Sequence, residues 1–206
     1  GNSDDIENRS EINYRYDADG KLISKRTAAG GEVNITRNAL GQETALSTLQ
    51  SDSVTLSERT EYDSLGRVTA EIDATNIRTE YVYDAVGNLI TFTRDAGGSD
   101  QRVTRYQYDA NRNLLRQTNP VASSYLAYSY DSLGNLLTTT DSNGAVTRSY
   151  YNEYSQVIAT VDAQGYFTEF ELDVSGNALS TRIYAQALAA TPGTALPTAP
   201  AGSLDD

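Results

Sequence analysis

Cysteine, histidine, tryptophan and methionine are all absent from this chain of 206 residues. Without histidine there is no imidazole base and no imidazole metal ligand. Without cysteine there is no thiol nucleophile, no thiolate zinc site and no disulfide. Positive charge is scarce as well: 16 basic residues stand against 28 acidic ones, a formal net charge of −12. That balance repels phosphate backbones, so nucleic acid is not an expected partner. No apolar run approaches the roughly 18 residues of a membrane span. The chain begins at Gly1 without a leader-like segment, which reads as a piece trimmed from something longer.

Tyrosine and glycine are plentiful instead, at 15 each. One pattern recurs: Tyr-x-Tyr-Asp-x-x-Gly-polar-Leu. Tyr81 to Leu89 and Tyr128 to Leu136 are its clearest copies, and Tyr14 to Leu22 is a third. Aligned copies place Asp or Asn at 17, 38, 63, 84, 109, 131, 152 and 173, spaced by 21, 25, 21, 25, 22, 21 and 21 residues. The positions expected to build the repeat are Tyr16, Asp17, Gly20, Tyr62, Asp63, Gly66, Tyr83, Asp84, Gly87, Tyr108, Asp109, Tyr130, Asp131, Gly134, Asp173 and Gly176. A second set of turns starts at Asp73, Asp95, Asn119, Asp141 and Asp162, ten or eleven residues after the first.

Asp or Asn opening a four-residue turn that glycine closes is the signature of a type I turn followed by a bulge. The aspartate can accept backbone N–H groups of its own turn. Arg112 and Ser155 stand where the glycine should be, so those two turns are expected to be looser or of another type. The runs between turns suit strands in length and in β-branched and aromatic content. Side chains alternate along a strand, so both rings of Tyr-x-Tyr share a face, and tyrosines of successive repeats are expected to stack. Two repeats carry four extra residues, expected as longer loops near Leu49–Ser53 and Gly97–Gln101.

The expected fold is therefore all-β: a repetitive antiparallel hairpin meander forming a spiral or arc-shaped sheet. Residues 1–10 read as a flank, 11–184 as about eight repeats of ~21 residues, and 185–206 as a Pro/Ala-rich linker or inter-repeat insertion. The best helical candidate, Ile183 to Ala190, is short.

These copies resemble the RHS/YD-repeat family, found in bacterial RHS proteins, in the shell subunits of insecticidal toxin complexes and in the teneurins. The resemblance implies a strip of sheet wound into a hollow shell that encloses a toxic domain or supports adhesion. The acidic autoprotease motif that precedes the toxin in that family has no counterpart here. A scaffold segment of a large secreted or bacterial cell-surface protein, carrying a toxin or acting as an adhesin, is the leading expectation. A module recognising glycan or a surface protein is the alternative.

Catalysis is not expected. The turn aspartates recur once per turn, whereas catalytic residues are singular. Glu169 and Glu171 should share a strand face, which more often marks a solvated surface than a glycosidase pair. Neighbouring oxygens such as Asp17 with Asp19, or Asp141 with Asn143, fall short of the six to eight that calcium takes, so neither metal nor cofactor is expected. The expected partners are adjoining repeats or domains of one long chain, with self-association through sheet edges.

Overall fold

The computed structural model describes residues 11–28, 30–51, 54–120, 124–188 and 193–200. The expected flank 1–10 lies outside them. Sixteen strands follow one another in sequence order in a single antiparallel sheet, and the described residues include no helix. None is therefore long and apolar enough to cross a membrane as a helix. The chain is all-β, as the repeat implies. It divides into two compact units, residues 1–84 with 91–103, and residues 85–90 with 104–206.

The first unit holds β1 (Ile12–Tyr16), β2 (Leu22–Thr27), β3 (Glu32–Arg37), β4 (Glu43–Ser51), β5 (Val54–Tyr62), β6 (Val68–Ile72) and β7 (Arg78–Tyr83). The division falls within β8 (Leu89–Arg94) and β9 (Arg102–Tyr108). The second unit continues with β10 (Leu114–Thr118), β11 (Tyr125–Tyr130), β12 (Leu136–Asp141), β13 (Val146–Tyr151), β14 (Val157–Val161), β15 (Tyr166–Leu172) and β16 (Ala178–Ala187).

The hairpins closed by the repeat turns at 17, 38, 63, 109, 131, 152 and 173 show the same irregularity. The register shifts at the residue just before the Asp or Asn, for example between Arg15 and Tyr16 and between Ser129 and Tyr130. This is the bulge that a closing residue with positive φ imposes. Gly66 and Gly134 adopt φ of 80° and 87° there.

Arg112 and Ser155 correct an expectation. They take φ of 68° and 60°, and their turns carry the same hydrogen bonds as the glycine turns. Left-handed backbone costs a non-glycine residue about 1–2 kcal/mol. The side chains of Asp109 and Asn152 each hold two backbone amides of their turns, and that network holds the residue in place despite the cost.

The longer loop expected near Leu49–Ser53 is corrected in part: residues 52 and 53 lie outside the described residues, and on either side of them β4 and β5 run to nine residues each, with Leu49 opposite Thr55 and Ser51 opposite Val54. Added backbone finds partners in a ladder, which a loop does not supply. The other insertion does form a loop, with Gly98 N–H bonded to Asp95 O and Asp100 N–H to an Asp95 carboxylate oxygen.

The first unit buries Ala70 and Ile72 on one face of β6. Glu61 faces Ala70 from β5, and Arg78 faces Ile72 from β7. Arg78 reaches across β6 to bond both oxygens of Glu61 at 2.9 and 2.8 Å, and its Nε bonds Glu80 at 2.7 Å. The methyl of Ala70 is small enough to lie beneath that span.

The second unit holds the main apolar cluster: Tyr150, Ala159, Val161, Phe167 and Tyr184, with Ile158, Leu188 and Ala199 against it. Phe167 and Tyr184 pack with ring centroids 5.4 Å apart. Here β16 runs through Ala187, which pairs with Tyr166, and Leu188 N–H bonds Gly165 O. The ladder thus enters the stretch expected as linker and replaces the helical candidate. Downstream, Gly193 O accepts the Tyr150 hydroxyl at 3.2 Å. Residues 189–192 and 201–206 of the expected linker lie outside the described residues, but Gly193 and Ala199 lie against the sheet beside Tyr150 and its cluster.

Candidate functional site: the turns and the junctions between repeats

The repeat motif assembles two polar devices, one within each turn and one between repeats. In the turns that start at 17, 38, 63, 109, 131, 152 and 173, the Asp or Asn side-chain oxygen accepts the N–H groups two and four residues on. In each, the N–H three residues on bonds the main-chain carbonyl of the same Asp or Asn. The turns at Asp73, Asp141 and Asp162 repeat the scheme. Gly87 closes the Asp84 turn with φ of 96°. Thr27 opens a further turn, closed by Gly30, where neither Asp nor Asn marks it.

The residue four after the turn Asp or Asn completes the chemistry. Opposite Asp in the repeat turns at 63, 109, 131 and 173 it is a donor: Asn113, Asn135 and Asn177 give Nδ2–H to the second carboxylate oxygen at 3.0, 2.8 and 2.8 Å, and Arg67 gives Nε–H to Asp63 at 2.7 Å. Opposite Asn it is glutamine, whose carbonyl accepts instead: Asn38 donates to Gln42 at 3.0 Å and Asn152 to Gln156 at 2.7 Å. The same side chains reach onward to the next turn. Gln42 donates to Gly66 O, and Asn135 donates to the Ser155 hydroxyl.

Hydrogen bonds set the electrostatics of these turns. The side-chain amides of Asn135 and Asn177 hold the carboxyls of Asp131 and Asp173 below the usual range, with the backbone amides adding to the effect. The backbone N–H of Arg67 does so for Asp63 and that of Asn113 for Asp109, while the Thr75 hydroxyl leads for Asp73.

The second device uses the residue just before the turn Asp or Asn. Tyr62, Tyr108, Tyr130 and Tyr151 donate their hydroxyls to the main-chain carbonyls of Glu43, Leu89, Leu114 and Leu136, at 2.9, 3.0, 3.0 and 2.9 Å. Each acceptor lies five residues after the turn residue of the preceding repeat. Arg37 occupies the tyrosine position of its repeat and makes the equivalent bond to Leu22 O at 2.6 Å. Tyr83 differs: its ring lies under the Arg67 guanidinium, 4.7 Å from centroid to Cζ. Burial pushes the Tyr130 hydroxyl up, which keeps it a donor across the ordinary pH range.

The expected stacking of tyrosine on tyrosine is therefore replaced at these junctions by a clasp from ring hydroxyl to backbone. Tyr81 does meet a ring, but that of Phe92, edge-on at 5.6 Å. Its hydroxyl donates to Glu71 at 2.6 Å, and burial with that bond pushes it up to about 12.

Glu169 and Glu171 do share a face, through pairing with Arg182 and Ser180. Each has a partner there. Glu169 accepts from Tyr184 at 2.5 Å with Arg182 3.8 Å away, and Glu171 accepts from Ser180 at 3.0 Å. The pairs weighed for calcium are tied into turns, since Asp19 and Asn143 each give a backbone N–H to the neighbouring carboxylate. Among the described residues no three acidic side chains gather as a metal site would require.

The Teneurin YD-shell family profile matches residues 7–183. Similar solved structures include the TcdB2-TccC3 complex without its hypervariable C-terminal region, at 15% identity and a TM-score of 0.64, over 84% of this chain and 10% of that one. The pore form of the Tc holotoxin of Photorhabdus luminescens matches at 17% identity and a TM-score of 0.55, over 84% of this chain and 9% of that one. This chain thus spans about a tenth of the length of the solved chains it resembles.

Proposed function

This chain belongs to the Teneurin YD-shell family, and from that premise we propose that it is one stretch of wall in a much larger secreted or surface-displayed shell. The wall carries or encloses other domains, a toxin or an adhesive module, and performs no chemistry of its own. One observation supports this most: the polar groups of the motif are used by neighbouring repeats. The hydroxyls of Tyr62, Tyr108, Tyr130 and Tyr151 each bond the repeat before them. A catalytic or ligand-binding surface would keep such groups free for a substrate. Here they join one repeat to the next, which is how a solenoid accumulates stability.

The test is the architecture of the full-length protein, by electron microscopy with limited proteolysis. The expected result is residues 11–184 continuous with further hairpin repeats in one wall and resistant to cleavage. A glycan array probed with this chain tests the recognition alternative. Saturable glycan binding that Tyr14→Ala and Tyr16→Ala abolish would replace the scaffold reading.

A further inference from the structure

We propose that the face of β13 to β16 carrying Tyr150, Phe167 and Tyr184 is a docking groove for an extended, uncharged, proline-containing peptide segment, and that residues 193–200 are the occupant it holds in cis. The groove goes beyond the wall reading and does not depend on it.

Register builds the groove. Tyr150 pairs with Ala159, Ala159 with Glu169, and Glu169 with Arg182, while Val161 pairs with Phe167. Alternation along each strand puts these side chains, with Glu171, Ser180 and Tyr184, on one face of the second unit. Ala159 is short between the larger Tyr150 and Glu169, which leaves a trough bordered by rings.

The occupant runs across that face. Gly193 O accepts the Tyr150 hydroxyl of β13 at 3.2 Å. Leu196 lines a recess with Glu169 and Glu171 of β15 and Ser180 and Arg182 of β16. Ala199 packs against the apolar cluster. No residue from 193 to 200 belongs to a strand, so the segment is held by side chains and not by a ladder.

Its sequence presets its shape. Proline fixes its own φ and keeps the residue before it extended. Pro197 and Pro200 therefore favour polyproline II from Leu196 onward, a helix that turns once every three residues and leaves its carbonyls unbonded. Leu196 and Ala199 are three apart and share an edge of that helix, and these are the two that meet the sheet. Free carbonyls suit a ring hydroxyl as donor, and an aromatic-lined groove is suited to a segment of this kind.

The probe is the synthetic peptide Gly-Thr-Ala-Leu-Pro-Thr-Ala-Pro, the sequence of residues 193–200. It is titrated by NMR into the unmodified chain and into a chain whose residues 193–200 are replaced by alternating Gly and Ser. The replaced chain is expected to stay folded in urea titration and to bind the peptide saturably. The unmodified chain binds it about tenfold more weakly, because a tethered occupant competes at millimolar effective concentration. Tyr150→Phe in the replaced chain keeps the ring and weakens binding roughly two- to tenfold, the range of one neutral hydrogen bond. A peptide of the same composition with its prolines adjacent binds several-fold less. Binding to neither chain, equal binding to both, indifference to Tyr150→Phe or to the order of the peptide, or unfolding of the replaced chain, which would make the segment core, each overturns the proposal. A full-length protein without a continuous wall would remove the wall reading and leave the groove standing.

Discussion

The hydroxyl of Tyr130 donates to the carbonyl of Leu114 at 3.0 Å, joining a turn residue to a strand sixteen positions earlier. The bond is partly buried, and it ties β11 to the start of β10, where the bulge has opened the ladder. A neutral hydrogen bond in such a place contributes about 0.5–1.5 kcal/mol. Tyr130→Phe keeps the ring and removes the donor. The expected result is a lower urea midpoint with an unchanged slope, a loss of about 1 kcal/mol. Tyr83→Phe is the control: its ring meets Arg67, and deleting its hydroxyl should leave the midpoint in place.

Arg112 offers the opposite change. Its φ of 68° places a long side chain in backbone space that glycine occupies freely. Arg112→Gly is expected to stabilise the chain by about 1 kcal/mol. Ser155→Gly should gain less, because the Ser155 hydroxyl accepts the Asn135 amide at 3.1 Å and that bond would go. Equilibrium unfolding of both variants checks the ordering; equal gains would show that the Asn135 bond is without weight.

The turns were legible in the sequence because their chemistry is local. Asp63 and Gly66 lie three residues apart, and their types alone specify the backbone between them. The junctions were not legible, since Tyr130 and Leu114 meet only after two strands and a bulge are in place. A signal was present all the same. The position four after the turn residue is glutamine at 42 and 156, where the turn residue is Asn, and Asn or Arg at 67, 113, 135 and 177, where it is Asp. That pairing of acceptor with donor is readable once the turn is drawn. The lengthened β4 and β5 and the reach of β16 to Ala187 were hidden for another reason: polar and Ala-rich residues suit loops by composition but complete a ladder when a neighbouring strand is there.

The lowered carboxyls of Asp63, Asp73, Asp109, Asp131 and Asp173 give stability a pH dependence with a definite sign. A carboxyl whose folded pKa lies below its unfolded value binds fewer protons in the folded state. Its contribution is complete above the unfolded value of about 3.9 and disappears as pH falls through the folded value. Stability is expected to be flat from neutral pH to about 5, then to decline below about 4. Asp131→Asn should flatten part of that decline while setting two amide donors face to face. Adding Asn135→Gln recreates the pair seen at Asn38 and Gln42 and should recover the midpoint at neutral pH. A double variant no better than the single one would contradict the donor–acceptor rule.

Phe167 tests whether the second unit depends on its cluster. The side chain is fully buried, touching Tyr184 and facing Val161 from the neighbouring strand. Truncating a buried phenylalanine to alanine costs about 3–5 kcal/mol, because a cavity joins the lost transfer energy. The cluster is small, with Ile158, Leu188 and Ala199 packed against it, so few atoms can collapse into the gap and Phe167→Ala should fall at the upper end. Hydrogen exchange localises the loss. Amides of β14, β15 and β16 should lose protection first, together with Leu188 N–H, whose bond to Gly165 O fixes the start of the tail. Protection of those amides retained in the variant would mean that the ladder, and not the apolar cluster, holds these strands.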